Sequence, residues 1–175
     1  MKKNTKKIVT AAGIAAGTAA VASLYAYVTI KALIDTALDR EMPKVMEKAD
    51  KRISGEKSSD EFTNRMESAS ESLAVQPNET VEIIAHDGEK LVGHYFPCEK
   101  PERVIIAFHG WRSSWHRDFG MISDFWYKNN CSVLYVEQRG QNNSSGEYMG
   151  FGLTERFDCL DWLNWEIERC GSDIP

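Results

Sequence analysis

Two short stretches hold residue types suited to chemistry. In VIIAFHGWRSSWHRDFG (104–120) an apolar run stops abruptly at His109-Gly110-Trp111, followed by three polar residues. In EQRGQNNSSGEY (137–148) a polar loop with two glycines follows a second apolar run. Short apolar runs read as strands buried on both faces. In a parallel α/β sheet, ligands bind beyond the carboxyl ends of the strands. Both loops occupy that place if the surrounding elements form such a sheet.

The elements that must position the loops are legible on either side. Val81, Ile83 and Ala85 alternate up to Asp87-Gly88, a strong hairpin-turn signal, and Leu91, Gly93 and Tyr95 alternate on the way back. Strands at 103–108 and 132–136 are separated by a helix over about 116–127. A longer helix over about 153–169 is expected to turn Phe157, Leu160, Leu163 and Ile167 inward and to end at Gly171. Strand, helix, strand, helix predicts an α/β fold with a parallel sheet, entered by a hairpin.

Ahead of this domain (76–175) lie two other segments. Residues 8–30 are 23 residues without a charge, preceded by Lys2, Lys3, Lys6 and Lys7. As a helix they extend about 35 Å, enough to cross a bilayer core. A cleaved signal peptide with Ala20-Val21-Ala22 as its cleavage site is the competing reading. The apolar run continues through Leu24, Tyr25, Tyr27, Val28 and Ile30, so 1–30 is expected to be a single-pass membrane anchor. The four lysines favour a cytoplasmic N-terminus and a domain on the far side, against Lys31, Arg40, Lys44 and Lys48 just beyond the span. Residues 31–75 read as a helical neck. Ile34, Leu38, Met42, Val45, Met46, Ala49 and Ile53 fall at helical spacing, Pro43 is a kink or restart, and Ser54-Gly55-Glu56-Lys57 is a turn. Ser58-Ser59-Asp60-Glu61 resembles a capping box opening a second helix, with Phe62, Met66, Ala69 and Leu73 on one face. The oligomeric state is not legible.

Several functions are disfavoured. Without the four lysines the chain keeps 17 basic and 26 acidic residues, a balance of −9, which suits neither nucleic acid nor an anionic lipid surface. Gly110 stands alone where a dinucleotide site needs G-x-G-x-x-G. Cys98, Cys131, Cys159 and Cys170 form no C-x-x-C, so no metal or other cofactor is expected, and buried thiols are the default. His86, His94 and His116 are scattered and read as satisfied polar residues rather than bases.

An apolar strand ending in His-Gly, then a helix, then a strand entering acidic-x-Arg-Gly-x-x-x-Ser-x-Gly, resembles the α/β-hydrolase superfamily. More narrowly, it resembles bacterial membrane-anchored members related to serine aminopeptidases and monoacylglycerol lipases. Arg139, Gly140, Ser144 and Gly146 match the family loop. Glu137 replaces its Asp, and Gln141-Asn142 replace its His-Gly. The resemblance implies that the backbone N–H of Trp111 is an oxyanion donor. It also implies that Gly110 lets the chain turn sharply beside substrate and that His109 orients the loop rather than acting as base. Trp111 and Trp115 are candidates to line an acyl pocket. The family's sheet order sets the 103–108 strand between the 132–136 strand and the strand of the nucleophile.

No G-x-S-x-G occurs in the chain, and Ser144-Ser145-Gly146 is not one. The resemblance therefore implies the front half of a serine hydrolase acting on a small-molecule or peptide acyl substrate, with nucleophile, acid and base outside this chain. The alternative is a catalytically inactive, membrane-anchored binding or scaffold module.

Overall fold

A computed structural model describes residues 2–41, 44, 48 and 60–171, with side chains from residue 17 onward. The neck positions from Met42 to Ser59, including Pro43 and the expected 54–57 turn, lie outside the described residues, residues 44 and 48 excepted. The helices are α1 (Lys2–Leu38), α2 (Glu61–Ala74), α3 (Trp115–Lys128) and α4 (Glu155–Cys170). The strands are β1 (Glu79–Ile84), β2 (Lys90–Phe96), β3 (Arg103–Phe108) and β4 (Cys131–Glu137). The chain divides into two compact units, Met1–Ala37 and Leu38–Pro175.

In the first unit, α1 runs without a break through residue 30, where the apolar run gives way to Lys31. Gly17–Leu38 is 22 residues long and apolar enough to cross a membrane by length and composition. Its large side chains, Leu24, Tyr25 and Val28 among them, are exposed.

The second unit is built on a sheet of order β1-β2-β4-β3 among the described residues. β1 and β2 are antiparallel with Val81 opposite Gly93 and Ile83 opposite Leu91, the register set by the Asp87-Gly88 turn, where Gly88 takes φ +94°. β4 pairs antiparallel with β2 and parallel with β3. All seven residues of β4 are buried, and its side chains alternate between two cores. Leu134 and Val136 join Leu91, Tyr95 and Trp162 on one face; Val133 and Tyr135 join Leu73, Ala107 and Trp115 on the other. β3, expected to be buried on both faces, keeps only Ala107 buried. It has one neighbouring strand, and its far edge is unpaired among the described residues.

Helix α2 starts two residues later than its capping box suggests. Asp60 is the N-cap, in extended backbone, and its Oδ1 accepts from the Thr63 N–H at 2.7 Å. Of its expected apolar face Leu73 is buried while Phe62 remains exposed. α2 crosses α3 very closely: a Cβ on Gly120 would lie 2.7 Å from the backbone of Ala69 and Ser70.

The last helix turns a different face inward from the one its apolar spacing predicts. Phe157, Leu160, Leu163 and Ile167 are all exposed, and the buried positions are Glu155, Asp158, Trp162 and Glu166. Trp162 decides this rotation, because it packs against Gly93, where a Cβ would come within 3.0 Å of its ring. Asp158 and Glu155 are buried with full sets of donors. Asp158 faces Arg139, while Glu155 accepts from the N–H groups of Gly150 at 2.5 Å and Gly152 at 2.8 Å.

Glu166 is the exception among these carboxylates. It is buried, Oε2 accepts from Cys170 Sγ at 3.6 Å, and Oε1 has no partner. Burial pushes its carboxyl above the ordinary range, offset only in part by Cys170 and Arg169. A raised folded value means that stability falls as pH climbs from the ordinary glutamate range through the raised one. Glu166→Gln is therefore expected to stabilise the protein at pH 8 by on the order of 1 kcal/mol. The gain should vanish near pH 4, as read from thermal melts at both values. Equal gains at both would show that ionisation is not the cause.

Candidate active site

The carboxyl end of β3 delivers His109 into a buried position between the two loops. Its Nδ1 donates to the carbonyl of Gly110 at 2.9 Å. Its Nε2 accepts from the Gln138 N–H at 3.3 Å and from Asn142 Nδ2 at 3.1 Å. Gln138 Nε2 in turn donates to the His109 carbonyl. These donors set the tautomer with the proton on Nδ1 and leave the imidazole no lone pair for a substrate proton.

Residues 110–113 form a turn that Asp118, in the first turn of α3, holds from within. Gly110 N–H donates to Asp118 Oδ2 at 2.6 Å, and Ser113 Oγ to Oδ1 at 2.5 Å. The Ser113 N–H closes the turn on the Gly110 carbonyl at 3.2 Å, with Trp111 and Arg112 at its tip. The left-handed residue is Arg112 at φ +51°, not Gly110. The chain does turn at Gly110, and the missing Cβ there makes room for Asp118 Oδ2, 3.3 Å from where that atom would be. The Trp111 side chain is 45% exposed, with Phe151 at 6.4 Å between ring centroids. Trp115, the other candidate for an acyl pocket, belongs instead to the core, where it stacks on His94 at 4.3 Å.

At the end of β4, four residues of the second loop have separate tasks. Arg139 grips Asp158 with Nε and Nη2, at 2.7 and 2.5 Å, and Asp87 with Nη1 at 2.7 Å. It joins loop, last helix and hairpin turn. Gly140 and Gly146 take φ +67° and +107°. Ser144 Oγ is wholly buried, donating to the Glu137 carbonyl at 2.5 Å and accepting from the Val92 N–H at 2.9 Å. That hydroxyl is a structural tie.

Glu137, in the place of the family's Asp, is also buried. It is bonded to His94 Nε2 at 2.8 Å and accepts from the Asn143 N–H at 2.6 Å and Asn143 Nδ2 at 3.0 Å. Burial pulls its carboxyl upward, but these donors together outweigh it and hold the group below its ordinary value. Its function is to order the loop as a carboxylate. His116 sits between Ser70 Oγ at 2.9 Å and Ser114 Oγ at 3.1 Å, with burial lowering its pKa. His86 bonds to Asp161 at 3.2 Å. His86, Asp158 and Asp161 bring ligand atoms within 4.8 Å of one another, but Asp158 is occupied by Arg139 and Asp161 by His86. Of the cysteines, expected to be buried, only Cys131 is; Cys159 is exposed.

Sequence reasoning missed a third component. The last residue of α1, Leu38, and the two that follow it, Asp39 and Arg40, form a strap along the second loop. The Met149 N–H donates to the Leu38 carbonyl at 2.7 Å, Asp39 bridges Tyr148, and the Arg40 N–H donates to the Glu147 carbonyl at 2.8 Å. A cleft of about 290 Å³ lies among Arg40, Arg112, Ser113, Gly140, Gln141 and Asn142. A larger open groove of about 680 Å³ between α2 and α3 includes none of these residues.

No family model and no curated protein matches the chain. Solved structures do. An esterase of Pyrococcus furiosus superposes with a TM-score of 0.49 at 25% identity, covering 57% of this chain and 38% of the esterase. An α/β-hydrolase from a Penicillium species gives 0.49 at 22%, covering 53% and 33%. One from Vibrio vulnificus gives 0.46 at 20%, covering 76% and 46%. The chain has a mixed α/β fold with a four-stranded sheet among the described residues, and it is similar in part to these α/β-hydrolases. The strand order β1-β2-β4-β3, with β3 beside β4 and its other edge open, is the order expected of that superfamily, and the His-Gly and Arg-Gly loops meet at its carboxyl end. Scores below one half mark only a partial likeness. The chain spans less than half the length of the hydrolases it resembles.

Proposed function

We propose that this chain is the N-terminal portion of a membrane-anchored serine hydrolase of ester, thioester or peptide bonds. The observation that supports it best is the meeting of the two loops on buried His109, which aims the 110–113 turn at the carboxyl end of the sheet. In this reading a serine supplied by a later strand attacks the acyl carbonyl. A histidine also outside this chain takes the serine proton, the Trp111 backbone N–H stabilises the oxyanion, and the alcohol, thiol or amine leaves with that same proton. Gly110 and His109 hold the donor in place. Neither Ser144, consumed in a backbone tie, nor Ser70, whose histidine partner lacks an orienting carboxylate, serves as nucleophile.

The 175-residue chain is expected to hydrolyse no activated ester and to take no label from a serine-directed fluorophosphonate, while a longer form with a G-x-S-x-G strand is labelled. Labelling of the short chain at enzymatic rates would refute a nucleophile outside it. A longer form that stays unlabelled would favour the second reading, an inactive anchored binding module, which the engagement of Ser144 and His109 in structural bonds also suits.

The anchor belongs to the same proposal, with the domain on the extracytoplasmic side. The exposed apolar length of Gly17–Leu38 supports the anchor, and the four N-terminal lysines favour that side. The protein should sediment with membranes and resist alkaline carbonate, and deleting 1–30 should release it. Release of the intact protein by carbonate alone would count against a spanning helix.

A further inference from the structure

We propose that Arg40, in the strap that follows α1, is a positioning residue for the Trp111 turn. This rests on the hydrolase reading for the chemical meaning of the turn, but its geometry stands by itself. The Arg40 guanidinium donates to three carbonyls of the second loop: Ser144 at 2.6 Å and Gly146 at 3.3 Å from Nη1, and Asn142 at 2.6 Å from Nη2. Carbonyls gathered around one cation are held in a fixed spacing that neutral donors give less firmly.

Asn142 then passes the constraint on. With its backbone set by Arg40, and itself left-handed at φ +49°, its Nδ2 donates to His109 Nε2 at 3.1 Å and to the Ser113 carbonyl at 3.0 Å. Ser113 is the closing residue of the Trp111 turn. Arg40 touches neither His109 nor Ser113, yet one side chain connects its contact to both. A return connection completes the arrangement. Arg112, at the tip of the turn, donates from Nη2 to the Asp39 carbonyl at 2.7 Å and from Nη1 to the Arg40 carbonyl at 3.3 Å. Strap and turn are therefore cross-linked twice, by Arg40 through Asn142 and by Arg112 directly.

Hydrogen exchange of the full chain in detergent micelles tests this. Three forms are compared: the parent, Arg40→Ala and Arg40→Lys. Removing charge-assisted bonds should speed exchange by about tenfold at 142–147 and also at the Ser113 amide, which Arg40 does not contact, with β4 unchanged. Lysine, a cation without the fork, should restore part of the protection. Asn142→Ala should speed exchange at Ser113 while the Arg40 and Met149 amides stay protected. Acceleration in Arg40→Ala confined to 142–147, no change at all, or an equal rise through β4 would each overturn the proposal. So would a Ser113 amide indifferent to Asn142→Ala. Exchange needs no catalysis, so failure of the hydrolase reading shows in fluorophosphonate labelling and failure of this one does not.

Discussion

Replacing Arg139 by alanine is expected to lower the free energy of unfolding by about 3–5 kcal/mol, the usual cost of leaving a buried charge without its partner. Asp158 is 2% exposed, and both its oxygens accept from this one guanidinium. The same side chain holds Asp87 in the hairpin turn, so helix, loop and turn loosen together. Arg139→Lys should recover little, because a single ammonium cannot span two carboxylate oxygens and Asp87 at once. A double replacement, Arg139→Met with Asp158→Leu, should recover most of the loss, since a buried pair contributes little over apolar residues of similar size. Chemical denaturation of the four proteins decides it. If the single change costs less than 1 kcal/mol, on the order of a surface pair, water reaches Asp158 and the pair is not the joint described above.

Gly140→Ala should rank next, at about 2–4 kcal/mol. The left-handed backbone accounts for about 1–2 kcal/mol and overpacking for a further 1–3 kcal/mol. A Cβ there would lie 2.7 Å from the Tyr148 carbonyl oxygen, which is backbone and has no rotamer with which to escape. Gly88 separates the two contributions. It is also left-handed, at φ +94°, but opens onto empty space. Gly88→Ala should therefore show the conformational cost alone, and a Gly140→Ala variant no worse than Gly88→Ala would mean that the loop gives way. Because Tyr148 also bridges Asp39, the Gly140 variant should loosen the strap as well.

What the sequence disclosed follows the range of the forces involved. The hairpin was legible because alternation and Asp87-Gly88 are local signals, and its register matches them residue for residue. Both later strands and both domain helices fall within two residues of expectation. The inward face of α4 was not legible. Apolar spacing picks out Phe157, Leu160, Leu163 and Ile167, but the helix turns on Trp162 against Gly93 and on carboxylates whose partners lie elsewhere in the chain. Periodicity carries no record of a distant arginine. The strap escaped for another reason: a segment of two or three residues has no period at all, and the carbonyls that Arg40 gathers belong to a loop about a hundred residues away. At Gly110 the residue type gave the turn, but not that the space its missing Cβ leaves is taken by Asp118.

The outer place of β3 also bears on how the protein is made. β3 pairs only with β4 among the described residues, yet it leaves the ribosome first. Residues 109–137 must be synthesised before its partner is complete, roughly 1.5–6 s at translation speeds of about 5–20 residues per second. During that interval Val104, Ile105, Ile106 and Phe108 have no sheet to join, while the β1–β2 hairpin is already able to form. Nascent-chain handling factors that recognise extended apolar segments have their opening here, and slower codons between positions 109 and 137 should lengthen it.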